Sequence, residues 1–367
     1  MTIYFVVLIL CIVLAYAAEK NDCEHDNRLS ENRVDHSHTT RNLFILLSIM
    51  LIVVTGFRYG VGGDYWSYYK AGERYSDELL NSLKSLSEPG IKLIYSIVRI
   101  FTTEKIVPIF VVAAITLSLM LRTIYRYTDK LMMAVLLFLF LGCWHESFNA
   151  VRQCMAAAIV FSGYGFLKDK KLFKYIIVIF IAFLFHRSAV LMILPYFIVH
   201  IKVSPKNILL IIIGVIVALY GFDRIIAITG FVLQEDTVLS SEYALRQVNP
   251  FRVAVAIVPA IYFIFITSGQ ERDETQEYFL NLLIVHAAVV TVTSPSAMLG
   301  RYGIYTAPFC VLAIPELNKL ESAKFKFKSG YLFSGGFLIC VFFFAYWVYS
   351  ISKDPTINNY IWYFNHS

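Results

Sequence analysis

The sequence predicts an all-α integral membrane protein: about twelve transmembrane helices around a polar cavity that faces the extracytoplasmic side. Three observations lead there. Apolar residues make up 58% of the 367-residue chain and charged residues only 16%, against about a quarter charged in a soluble domain. The mean hydropathy is +0.64. Apolar runs recur from end to end, and ionisable or hydrogen-bonding residues gather in short clusters between them.

A crossing needs roughly 15–20 apolar residues, which places spans near 2–18, 42–56, 105–121, 131–146, 150–167, 174–187, 189–201, 207–222, 251–267, 278–294, 302–317 and 331–350. The first run lacks a basic flank, and its ending AYAAEK only loosely resembles a cleavage site, so it reads as a retained helix. The segment 19–41 mixes Lys20, Arg28, Arg33 and Arg41 with six acids and reads as a solvated loop. Its His25, His36 and His38 lack the helical or Cys support of a metal site. Residues 91–101 read as a half-buried or re-entrant segment. The stretch 174–201 reads either as two spans or as one broken element. The six cysteines show no CxxC or Cys/His spacing, so neither metal nor redox cofactor is expected. The chain reads as one polytopic domain, 1–367, with 57–104 and 223–250 as its main extracytoplasmic loops.

Lys and Arg near span ends set sidedness. Arg122, Arg126 and Lys130 form one basic connection. Lys168, Lys170, Lys171 and Lys174 form a second, and Lys319, Lys324, Lys326 and Lys328 a third, with Lys202 and Lys206 in agreement. Placing these inside sends every polar cluster, and both termini, to the outer face. The net charge of +6 then concerns topology and anionic lipid or substrate. No soluble basic domain suggests nucleic acid.

The clusters are where function is sought, because a charge within or beside a span is costly unless it faces protein or a watery cavity. In GFRYGVGGDYWSYY, Gly60, Gly62 and Gly63 permit a sharp turn. Arg58 could grip a phosphate through its planar fork or form a structural pair with Asp64, and Tyr65 and its aromatic neighbours offer faces for sugar rings. In SEPG, Glu88 is either an ordinary helix-start acid or a base. In HESFNAVRQ, Asn149 shares a helical face with Arg152 and Gln153. In FHRSA, His186 can move a proton near neutral pH; no GxSxG elbow supports Ser188 as a nucleophile. Arg301 and Tyr302 follow the helix-breaking Ser294-Pro295-Ser296. Arg246 and Arg252 join Arg58, Arg152, Arg187 and Arg301 in a basic set suited to a diphosphate.

The ordered succession FRYGVGGDYWSYY, EPG, FNAVRQ, FHRSA and GRY over about 57–302 resembles the EpsG-type, Wzy-like polysaccharide polymerases. The resemblance implies an enzyme of the bacterial inner membrane that joins undecaprenyl-diphosphate-linked oligosaccharide repeat units at the outer face, without cofactor or metal. Its expected partners are the lipid bilayer and, in the same pathway, a chain-length regulator and a flippase. It implies catalytic roles for Asp64, Glu88, His186 and Arg152. Substrate contacts then fall to Arg58, Tyr65, Asn149, Gln153, Ser188, Arg301 and Tyr302. Which of Asp64, Glu88 and His186 is the base stays open. The Pro-Tyr pair frequent near the family's C-terminus is absent, since Asn359 precedes Tyr360. Rival readings are an O-antigen-ligase-like glycosyltransferase, a transporter or flippase, and a membrane acyltransferase. The 223–250 loop is modest for the first, no hydropathy repeat supports the second, and FHRSA lacks the acidic partner of the third.

Overall fold

Helices account for nearly all the regular structure because the apolar runs can satisfy their backbone groups internally in no other way inside lipid. The computed structural model describes residues 1–23, 29–30, 33–224, 227, 248–269, 271–324 and 335–365. His25, Arg246 with most of the 223–250 loop, and Lys326 and Lys328 lie outside these described residues. Among the described residues the one ladder is a two-residue antiparallel pairing of Leu29–Ser30 with Arg33–Val34. Among the described residues, four helices are long and apolar enough to cross a membrane: α1 (Thr2–Cys23), α2 (His38–Gly56), α6 (Ile106–Tyr127) and α14 (Glu274–Val292). Shorter apolar helices follow the remaining runs: α7 (Leu131–Phe140), α8 (Val151–Ser162), α10 (Leu172–Phe183), α12 (Pro205–Tyr220) and α13 (Pro250–Ile266), with a further apolar stretch over Arg187–Ile198 and another over Leu338–Lys353.

Packing groups the helices into two compact units, Met1–Val190 with Cys340–Ser367, and Leu191–Ile339. In the first, α1 packs on α2 and α7, and α6 packs on α2 and α8. Gly56 lets α2 approach α6, since a Cβ there would lie 2.4 Å from the Phe110 ring. In the second, α14 packs on α13 and on α15 (Gly303–Lys324). Interior prolines (Pro259, Pro308, Pro315) are kept within helices, as membrane bundles tolerate. Helix α12 buries none of its residues and exposes Leu209, Leu210, Ile212, Ile213, Ile216 and Val217. Such a surface suits lipid and not water.

The first unit sorts its polar features by end. At one end the Met132 N–H donates to Glu19 Oε2 (2.8 Å), while His36 pairs with Asp22 and meets the Tyr125 carbonyl at 2.6 Å. Residues 35–37 are thus tied down beside buried Asp22, whereas the sequence suggested a solvated loop throughout 19–41. The Tyr127 ring packs at a tilt against Tyr164 and lies against Gly165, which brings the basic turn with Lys168, Lys170 and Lys171 to this end. At the other end the Met1 ammonium donates to Asn358 O (2.7 Å), Gly62 N–H to Thr356 O (2.9 Å) and Tyr363 N–H to Phe57 O (2.8 Å). The clusters at 57–71, 87–90, 145–153 and 185–188 share this second end.

Between α2 and α6 the chain forms α3 (Tyr65–Tyr69), α4 (Gly72–Ser85) and α5 (Pro89–Phe101). Helix α5 is amphipathic: Ile91, Tyr95 and Val98 are buried, and Leu93, Ile97, Ile100 and Phe101 are exposed. At 13 residues it is too short to cross and lies against α4. Around His186 the chain breaks, and Arg187–Met192 is a 3₁₀ turn before α11 (Ile193–Ile198).

Candidate functional site

Arg58 follows the end of α2 and is 2% exposed. A buried guanidinium must spend its donors on protein, and this one does. Nε donates to Val61 O (3.0 Å), Nη1 to Thr55 O (2.5 Å) and Nη2 to Phe148 O (3.2 Å). Its charge also sits over the rings of Phe148 and Tyr65, at 5.3 and 5.8 Å. Arg58 therefore latches the 57–63 turn to the 145–148 3₁₀ turn. Gly62 completes that latch at φ +104, where a Cβ would lie 2.2 Å from Phe148 O. Asn149 belongs to the same scaffold, because its Oδ1 accepts from the Gly63 N–H at 2.5 Å. The C-terminal tail closes over it: Tyr59 N–H donates to Ile361 O, and the Tyr360 hydroxyl to Val54 O at 2.6 Å.

The second grouping centres on Glu88. This residue adopts a left-handed backbone, φ 52 and ψ 54, which a non-glycine residue keeps only when its surroundings hold it there. Pro89 then starts α5, and Gly90 allows contact with Phe185, whose ring would lie 2.8 Å from an added Cβ. The Gly90 N–H donates to Leu184 O at 2.8 Å. Each residue of EPG thus serves one purpose: to aim a buried carboxylate (7% exposed) at the break after α10.

Three groups meet that carboxylate. Arg152 Nη1 donates to Oε2 in an ion pair, the Arg187 N–H donates to Oε1 at 3.1 Å, and His186 Nδ1 lies 3.6 Å from Oε1. Arg152 Nε also donates to the Tyr68 hydroxyl at 3.3 Å. Burial pushes the Tyr68 phenol up to about 12, with Arg152 opposing the shift, so Tyr68 stays protonated at any physiological pH. The Arg152 side chain is 41% exposed, and its Nη2 has no protein partner among the described residues. One side of the guanidinium is fixed by protein while the other faces outward.

Ser188 is buried and donates its N–H to His186 Nδ1 at 3.3 Å, with its Oγ 2.9 Å from the same nitrogen. A nitrogen that accepts from a backbone N–H carries no proton, which assigns the neutral ring's proton to Nε2. A Ser–His–acid relay needs serine and acid on opposite ring nitrogens. Here both face Nδ1, so the trio orients the ring and does not form a nucleophilic triad.

Of the residues singled out by sequence, Glu88, Arg152, His186 and Ser188 come together. Arg58 and Asn149 stand in the supporting scaffold. Asp64 starts α3 without a side-chain cap bond. Tyr65 is buried and stacks on Tyr69 at 5.6 Å. Gln153 is buried. Arg301 and Tyr302 belong to the second unit, on the 3₁₀ turn Leu299–Tyr302, both half-buried. Sequence reasoning counted Tyr68 only among the aromatic neighbours of Tyr65 and missed its bond to Arg152, which depends on the turn of α3. It also assigned no role to the 354–365 tail, where Asn359 stands in place of the family's proline before Tyr360.

The family model for EpsG matches residues 41–365, which takes in both groupings. No curated protein and no solved structure matches the chain. With apolar helices throughout and a family match over most of its length, this chain belongs to the EpsG family and is a membrane protein of polysaccharide biosynthesis.

Proposed function

We propose that the chain is a lipid-diphosphate-dependent glycosyltransferase that polymerises undecaprenyl-diphosphate-linked oligosaccharide repeat units at the outer face of the bacterial cytoplasmic membrane. The observation that supports this reading is the Glu88–Arg152–His186 grouping, a carboxylate, an outward-facing guanidinium and an imidazole gathered at the end of the unit opposite its basic turns. By the positive-inside rule that end faces outward.

In this reaction the acceptor sugar's hydroxyl oxygen attacks the anomeric carbon of the donor chain. The bond from that carbon to the donor diphosphate breaks, and the diphosphate leaves with the electron pair. Arg152 meets the departing charge with its outward side, a stabilisation that dominates many enzymes. Glu88 takes the hydroxyl proton, being the carboxylate in contact with both Arg152 and the His186 backbone turn; His186 orients the acceptor through Nε2–H. Tyr68 and the Arg187 N–H hold Arg152 and Glu88 in place. Arg58 and Asn149 keep the loop in shape, and Tyr65 with its aromatic neighbours offers stacking faces. Gln153 keeps a proposed sugar contact, as do Arg301 and Tyr302 from within the second unit. A flippase would supply the repeat units and a chain-length regulator would act alongside.

The test is lipid-linked glycan length in cells lacking the gene, complemented with wild type or Arg152→Ala. Wild type should restore a ladder, and the variant should lose at least ~10²-fold in rate. Wild-type-like polymer from the variant removes Arg152 from the reaction. Repeat units stranded on the cytoplasmic face of the deletion strain would make the protein a transporter.

A further inference from the structure

The Tyr68 oxygen accepts from Arg152 Nε, which leaves the phenol's own proton to find an acceptor elsewhere. Tyr68 also lines a cavity of about 10 Å³, together with Tyr65, Tyr95, Arg58, Thr116 and Ser147. Tyr65 and Tyr68 lie three apart on α3 and share a face, and Tyr95 arrives from the buried side of α5. Helix α6 contributes Thr116, and the 145–148 turn contributes Ser147. Tyr65 and Tyr95 are 0% and 1% exposed, yet neither hydroxyl has a hydrogen-bond partner among the described residues. A hydroxyl withdrawn from water is costly without a new partner. Two of them lining one cavity point to a ligand there.

The other polar walls indicate which ligand. Arg58 has five N–H groups and spends three on carbonyls, so it keeps donors in reserve. Thr116 and Ser147 give their hydroxyl protons to the Val112 and Trp144 carbonyls, which leaves their oxygens to accept. The cavity thus offers donors and acceptors together, in a volume that admits the centre of about one water. A halide could only accept and is wider than water.

We propose that a single buried water occupies this cavity, bonds Tyr65, Tyr68 and Tyr95, and makes Tyr95 a positioning residue for Arg152. A water accepts two hydrogen bonds and donates two, so one molecule serves all three phenols. It takes the Tyr68 proton, and a phenol that donates onward accepts more strongly at its own oxygen. Arg152 Nε is thereby fixed from the protein side while the rest of the guanidinium faces outward. The consequence for turnover rests on the polymerase reading, whereas the water site does not.

Two measurements on the full-length protein in detergent separate these. X-ray radiolysis read by mass spectrometry oxidises side chains that touch a bound water, even where bulk solvent does not reach. Tyr65 and Tyr95 should be modified several-fold faster than Tyr4, which is also 0% exposed but gives its hydroxyl to Ile357 O. Rates no higher than that of Tyr4 overturn the water site. The second measurement is turnover of lipid-linked single repeat units extracted from the deletion strain. Tyr95→Phe should lower kcat about tenfold with KM unchanged, because Arg152 acts on charge that develops only in the transition state. Tyr68→Phe should lose at least as much. The Tyr68→Phe/Tyr95→Phe pair should lose no more than Tyr68→Phe alone, since both act through one hydrogen bond. Losses that multiply, or a wild-type kcat in Tyr95→Phe, overturn the positioning role. Failure of the polymerase reading looks different: the radiolysis pattern as described, with no turnover by wild type.

Discussion

Two arginines in this chain had equal claims from sequence, and their surroundings divide them. Arg58 donates to three buried carbonyls, each of which would cost about 1–3 kcal/mol if left unsatisfied. Arg58→Lys cannot reach all three, so it should lower thermal stability by several degrees, at about 2–4 °C per kcal/mol. Arg152→Ala, whose side chain is 41% exposed, should shift the melting temperature far less while abolishing polymer. Melting curves of both detergent-purified variants check this, and equal shifts would contradict it. Glu88 makes a second test at this scale. Glu88→Gln keeps the left-handed backbone and loses the charge, so turnover should fall about 10²–10⁴-fold with the protein still folded. Turnover within a fewfold of wild type would exclude Glu88 as the base.

Among the elements, α5 departs most from a simple hydropathy reading. Its 13 residues are apolar enough to suggest a crossing, yet the buried set of Ile91, Tyr95 and Val98 and the exposed set of Leu93, Ile97, Ile100 and Phe101 occupy opposite sides. That division places the helix in the interface with its exposed side towards lipid. Nitroxides attached after Ile97→Cys and Ile100→Cys should collide with oxygen more than with a water-soluble nickel chelate, and the order should reverse at exposed Lys84→Cys. A water-like ratio at both α5 positions would place the helix in solvent. The turn before α5 explains why Glu88 looked ordinary in the sequence. An acid ahead of a helix usually caps it, and here no cap bond forms. The left-handed φ turns the carboxylate to Arg152 and the 186–188 break, a direction that residue order does not encode.

For the molecule as a whole, orientation follows from charge. In the first unit the basic turns at 126–130 and 168–171 lie at one end and both termini at the other. Thr356→Cys should therefore react with a membrane-impermeant maleimide in intact spheroplasts, and Asp169→Cys only after permeabilisation; both positions are exposed. The described native cysteines are buried or half-buried and give low background. The reverse labelling order would invert the topology and move the Glu88–Arg152 grouping to the cytoplasmic face.

Composition and run length were enough to indicate a helical membrane protein, because lipid excludes unsatisfied backbone wherever the chain folds. The order of five short motifs was enough to indicate the family, since each lies in the sequence itself. Which arginine supports and which faces outward was decided only by tertiary structure. So were the selection of Tyr68 from a run of tyrosines and the closure of the 57–63 turn by a tail 300 residues later. Those outcomes depend on contacts between distant segments, where burial and a few hydrogen bonds assign different roles to chemically identical side chains.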